Sequence, residues 1–152
     1  MLLAKKFGME YTDSNDQRVT PYIIHRTSLG CYERTLALVL EKFAGALPLW
    51  MAPEQVRVLP IGVEHEEYAR KVQAELEENG LRTEVDARNE KIGYKIRQAQ
   101  LEKVPYMLVV GEKEAAEGKV AVRNRGGVDL GAVSVDEFLL KALEDVRTLK
   151  LD

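Results

Sequence analysis

Cysteine is almost missing from this chain: Cys31 is the only one in 152 residues. A lone thiol excludes an internal disulfide and any CxxC metal knuckle, and it fits a reducing compartment such as the cytoplasm. Histidine is scarce as well, with only His25 and His65 and no HxxH spacing. No apolar run approaches the ~20 residues of a membrane-spanning helix. The apolar start Met1-Leu2-Leu3-Ala4 gives way at once to Lys5-Lys6, so no secretory signal is expected. Positive charge is not in excess either. A net charge of -3 argues against indiscriminate binding of nucleic acid, which needs many Lys and Arg contacts to phosphate. Neither the dinucleotide nor the P-loop type of glycine-rich phosphate loop occurs, and there is no internal repeat or low-complexity segment.

What is present is an ordinary globular composition, 45% hydrophobic and 31% charged. The length suits one domain with an appendage, able to bury roughly 68 to 70 per cent of its unfolded surface. Phe7–Tyr11 and Tyr22–His25 read as two strands around the turn-rich stretch 12–17, and Gly30 opens a helix over Cys31–Phe43 that Gly45 stops. Pro48 and Pro53 punctuate a connector. The expected division is therefore 1–48, a linker at 49–54, and a main domain at 55–152.

In that domain Gln55–Pro60 reads as a strand, His65–Asn79 as an amphipathic helix, and Leu81–Val85 as the next strand. A polar turn, Asp86–Lys91, is too polar to be buried. Ile92, Ile96 and Ala99 then recur as one helical face, and Tyr106–Val110 is a buried strand ending in a charged turn, Gly111–Glu114. Lys119–Arg123 and Val128–Val133 pair around Asn124-Arg125-Gly126-Gly127. A helical stripe from Val135 to Leu149 closes the chain. The order β-α-β-α-β-β-β-α predicts an α/β fold, a mixed sheet of about five strands covered by about three helices. If the strands on either side of the Ile92 helix are parallel, Arg88, Asn89 and Lys91 emerge at the same sheet end as Gly111–Glu114. Open α/β sheets place ligands at that end.

Charge is distributed unevenly. Arg88, Lys91, Lys95 and Arg97 meet only Glu90 in their window, and Lys119, Arg123 and Arg125 cluster later, whereas Glu64, Glu66, Glu67, Glu75, Glu77 and Glu78 load one helix with acid. One face basic and another acidic lets an acidic protein orient a polyanion.

Arg88-Asn89-Glu90-Lys91-Ile92-Gly93, Lys95-Ile96-Arg97 and the run Val104–Val109 together resemble the C-terminal anticodon-binding domain of threonyl-tRNA synthetases. Pro21–Arg26 with Gly30-Cys31-Tyr32-Glu33-Arg34 resembles the last signature of the class II synthetase catalytic domain. The resemblance implies a partner, the anticodon stem-loop of tRNA-Thr, with neither DNA nor membrane. It implies base-reading contacts at Asn89, Glu114 and Arg123, and also at Arg97. Lys91 and Arg97 suit phosphates, and Arg88 belongs to the same basic turn. The chemistry is apt: an Asn amide carries donor and acceptor, a carboxylate accepts from base amino groups, and a guanidinium forks onto a guanine edge.

In the intact synthetase the resemblance further implies that Arg34 packs on the adenine of ATP-Mg, that His25 is one ligand of a zinc ion holding threonine, and that two copies pair through the catalytic domain. The other zinc ligands and the earlier class II motifs have no counterpart in this sequence. The chain alone is expected to activate no amino acid and to hold no cofactor. The alternative is a free-standing relative in which the same fold is an accessory or regulatory interaction module. Each residue also has a plainer role by itself: His25 a structural histidine, Arg34 a surface arginine, Asn89 a turn former, Lys95 and Arg97 a solvated helix face, Glu114 a loop charge, Arg123 a strand residue facing water.

Overall fold

The computed structural model describes residues 2–24, 26–28 and 30–151. The chain forms two compact units, 1–37 and 38–152. In the first, helix α1 (Leu2–Lys6) precedes a hairpin of two-residue strands, β1 (Tyr11–Thr12) and β2 (Arg18–Val19). The hairpin's turn lies where the sequence places it, but its strands do not. The Asp13 carboxylate accepts from the amides of Asn15 (2.8 Å) and Gln17 (2.9 Å), which closes the chain so tightly that pairing starts beside the turn. Phe7 lies in a turn, and Tyr22–Ile24 form no strand, with Tyr22 and Ile24 strongly exposed. Helix α2 (Tyr32–Phe43) buries none of its residues fully. It ends as expected at Gly45, whose left-handed backbone (φ 77°) lets its amide reach back to the Leu40 carbonyl (3.0 Å).

The second unit carries a five-stranded sheet of order β4-β3-β5-β6-β7. Its strands are β3 (Val56–Pro60), β4 (Thr83–Val85), β5 (Tyr106–Val110), β6 (Lys119–Asn124) and β7 (Asp129–Ser134). β4 and β5 both run parallel to β3 and flank it, while β6 and β7 are antiparallel additions. A short 3-10 turn leads into helix α3 (Glu66–Glu78), which joins β3 to β4, and α4 (Ile92–Leu101) carries the chain back across β3 to β5. Crossovers running in opposite directions with one handedness put α3 and α4 on opposite faces. The core divides accordingly. On one face Ala69, Val72 and Leu76 of α3 share a cluster with Phe138, Leu139 and Ala142 of the closing helix α6 (Val135–Arg147). On the other, Ala99 of α4 packs with Leu59, Met107 and Val109. Buried Arg57 in β3 ties this second layer together through Glu54 and Glu102.

The linker at 49–54 is held against the sheet. Gln55 donates to the Leu49 carbonyl (2.8 Å), and the Arg82 guanidinium donates to the carbonyls of Ala52 (2.7 Å) and Trp50 (3.1 Å). Two helices were not expected, α1 at the start of the first unit and a second after β5. Gly111–Glu114, taken from the sequence as a charged turn, is the cap and first turn of a short helix, α5 (Glu112–Glu117).

Candidate nucleic-acid interface

The parallel strands β4, β3 and β5 deliver Asp86–Lys91, Ile61–Val63 and Gly111–Glu114 to the same end of the sheet, as expected, with β3 between the two predicted turns. The loops leaving β3 and β5 are so close that a methyl group on Gly111 would lie 2.7 Å from Ile61 Cδ1. A crevice bounded by Pro60–Val63, Ala87–Glu90 and Lys95 opens between the ends of β3 and β4.

The turn after β4 is built around two residues misread from sequence as solvated. Asp86 is buried, not exposed, because the chain has not yet left the sheet there: its amide still donates to the Val58 carbonyl (3.0 Å). Its carboxylate receives the Arg88 side chain through Nε (2.8 Å) and a terminal nitrogen (2.6 Å), and the Arg88 amide as well (3.2 Å). Those bonds from Arg88, against the opposing effect of burial, hold the Asp86 carboxyl below the usual carboxylate range. Arg88 also lies over the Tyr94 ring, 5.9 Å from its centre. The second correction is Lys95, only 3% exposed, whose ammonium donates to the carbonyls of Pro60 (2.9 Å) and Asp86 (3.0 Å). The signal was available: Lys95 falls on the Ile92, Ile96, Ala99 stripe, three residues from Ile92 and four from Ala99, and so faces the sheet.

With Arg88 engaged, three predicted residues of the turn and helix remain exposed with side chains that make no hydrogen bond or ion pair among the described residues: Asn89, Lys91 and Arg97. Arg97 is one turn before Gln100, whose side chain reaches the β6–β7 turn at Gly127, so Arg97 lies on the flank of α4 facing that hairpin. Glu114 is half-buried in the first turn of α5. One carboxylate oxygen, Oε2, accepts from the Gly111 amide (3.0 Å) and caps the helix, which leaves Oε1 for a ligand.

Arg123 is elsewhere. It pairs in register with Met107, on the α4 side of the sheet but at the amino end of β5, and it forms an ion pair with Asp129 (2.7 Å). The sheet beyond Ala121 is open on that side, with Leu130 and Ala132 exposed. The α4 face thus carries Lys91, Arg97 and Arg123, while α3 packs on the opposite face, although Glu66 in its first turn also lines the crevice beside Ala87–Glu90.

Arg34 is an exposed residue in the first turns of α2, and His25 lies outside the described residues. Among the described residues no three His, Cys, Asp or Glu side chains gather as a metal site.

Residues 55–145, from the edge of β3 into α6, match the family model described as the anticodon binding domain. The chain belongs to that family. Among similar proteins, threonine--tRNA ligase of Clostridium botulinum (strain Eklund 17B) is 53% identical over 96% of this chain, and that of Caldanaerobacter subterraneus is 49% identical over 98%. The chain spans 23% of the length of each. Its fold is similar to a crystal structure of the RNA binding domain of threonyl-tRNA synthetase from Cryptosporidium parvum. The TM-score is 0.76 and the identity 38%, over 93% of this chain and 36% of that one. The resemblance read from the RNEKIG turn and the VPYMLVV strand is therefore borne out. The five-stranded mixed sheet is the sheet of an anticodon-binding domain. No helix among the described residues is long and apolar enough to cross a membrane.

Proposed function

We propose that this chain binds the anticodon arm of tRNA-Thr and reads its loop bases, as the C-terminal part of a threonyl-tRNA synthetase. The observation that carries the reading is the carboxyl end of the sheet with the adjoining flank of α4, where the side chains of Asn89, Lys91 and Arg97 have no intramolecular partners among the described residues and Glu114, at the same sheet end, has one oxygen not used in capping α5. Single-stranded loop bases expose their pairing edges, and a protein specifies them with hydrogen bonds to those edges while phosphate contacts fix the backbone. Asn89 and Glu114 suit the first task at the carboxyl end of the sheet, and Arg123 suits it at the other end. Lys91 and Arg97 suit the second, and Arg88 contributes through the shape of the turn.

Ligation of threonine to tRNA belongs to the longer protein whose relatives this chain resembles, in the cytoplasm and as a homodimer through its catalytic domain. The exposed Ile23, Leu36 and Leu38 support the view that residues 1–48 end that domain, since apolar side chains of this size are normally covered. Arg34 offers an unobstructed guanidinium for the adenine of ATP. The described residues do not assemble a zinc centre.

The test is titration of the chain with a tRNA-Thr anticodon stem-loop, and with one differing in a single anticodon base, at two salt concentrations. Selective binding is expected, with a shallow salt slope of about -2, because at this end of the sheet Lys91, Arg97 and Lys113 carry side chains free of ion pairs among the described residues to neutralise loop phosphates at roughly -0.7 each. Weak, unselective binding with a steep salt slope would reject the reading.

A further inference from the structure

Lys95 invites an explanation, because a buried ammonium aimed at two carbonyls is rare unless the backbone demands it. The demand comes from Pro60. In a parallel pair the residue whose amide donates to one strand residue accepts, through its own carbonyl, from the amide two positions further along. The Asp86 amide donates to the Val58 carbonyl, so the Asp86 carbonyl is directed at the nitrogen of residue 60. Proline has no hydrogen there. Lys95 reaches over from α4 and supplies the missing donor to Asp86 (3.0 Å), and with the same ammonium it satisfies the Pro60 carbonyl (2.9 Å). The anchored residue, Asp86, is the one whose carboxylate holds the amide and side chain of Arg88, and Asn89 follows directly.

We propose that Lys95 is a positioning residue for base reading. Without touching RNA, it fixes the root of the Arg88–Asn89 turn, so selectivity at the base read by Asn89 depends on a side chain buried beneath it. This rests on the RNA-reading function proposed above.

The experiment compares the full chain with Lys95→Met, which keeps the length and loses the donors. A control, Leu139→Ala in α6, lowers stability from the opposite face of the sheet. Two quantities are measured: the affinity ratio for the tRNA-Thr anticodon stem-loop over a single-base variant, and amide hydrogen exchange at Asp86, Ala87 and Glu90, whose amides are bonded within and around the turn. Lys95→Met is expected to lose about tenfold in the affinity ratio and to speed exchange at those amides. Leu139→Ala, at a comparable loss of melting temperature, keeps the ratio. A Lys95→Met protein that retains both the ratio and the turn's protection overturns the proposal, and so does an equal loss of ratio in Leu139→Ala. If Lys95→Met does not fold, Lys95→Gln, with two donors on a shorter stem, takes its place with the same criteria. If the unaltered chain shows no base selectivity, the RNA reading fails by itself. The exchange data then judge Lys95, and wild-type protection in the variant rejects its role in holding the turn.

Discussion

Asn89 and Arg123 are expected to read different nucleotides, and the sheet sets how independently they do so. Arg123 stands opposite Met107, three residues short of the end of β5, and its strand is separated from β4 by β3 and β5. At about 3.3 Å per residue along a strand and about 4.8 Å between strands, the two side chains are roughly 17 Å apart. Sites that far apart with no shared partner contribute additively, to within about 0.3–0.5 kcal/mol. Each contact to a base edge carries about 1–3 kcal/mol of discrimination. Asn89→Ala and Arg123→Ala should therefore each lose about five- to 150-fold in selectivity, at different anticodon positions. The Arg123 effect should lie toward the lower end, because its guanidinium leaves Asp129 to meet a base. The assay is a fluorescence titration of four proteins, wild type, both singles and the double, against stem-loops altered at one anticodon base at a time. If both singles lose selectivity at the same base, or if they couple by more than about 1 kcal/mol, the assignment of the two ends to two nucleotides is wrong.

Acid should weaken the turn after β4. The Asp86 carboxyl lies below its unfolded value, so its contribution is complete above about pH 4 and is lost as pH falls through the lower folded value. The gap in melting temperature between wild type and Asp86→Asn should shrink from pH 7 to pH 3, and a constant gap would contradict the pairing with Arg88. Phe138→Ala removes a ring that is 2% exposed and edge-on to Tyr106 at 5.5 Å, at a cost of about 3–5 kcal/mol. For a chain of this length that is a fall of about 6 to 20 °C in melting temperature, measurable by circular dichroism. Threonine-dependent ATP-pyrophosphate exchange by this chain alone is expected at background. Activity above background would show that the signature around Arg34 suffices without the rest of a class II domain.

Much of the second unit was legible because its burial is strong and periodic. Tyr106–Val110 is a strand over the expected residues, since five apolar side chains in a row suit a central parallel strand covered on both faces. The placement of both turns at one sheet end followed from that. The first unit was less legible. Its strands are two residues long and are set by one Asp13 side chain, so no alternation marks them, while Phe7, Tyr22 and Ile24 suggested strands and are exposed instead. α5 was missed because six residues are too few to show a helical period, although Glu, Lys and Ala are all good helix formers. Asp86 and Lys95 were misread for one reason: residue type was given more weight than position. Lys95 occupies a core position on its helix, and Asp86 occupies the last paired position of its strand.

The same correction changes how the basic turn works as a binding surface. Read as composition, Arg88, Lys91, Lys95 and Arg97 are four cations against Glu90, a strong attractor for any polyanion. In the structure Lys95 is committed to two carbonyls and Arg88 to Asp86, and Asp86 is a buried anion that the composition assigned to solvent. Two of the four charges therefore set the geometry of the turn, and of the four Lys91 and Arg97 are left to attract a ligand, with Lys113 across the sheet end. A site of this kind gains little from non-specific electrostatics and depends on where Asn89 and its neighbours are held. That is consistent with a chain of net charge -3 whose acidic helix α3 lies on the far face of the sheet. Discrimination among loop bases is better served by a few fixed donors and acceptors than by a strong field, because the field attracts every RNA equally.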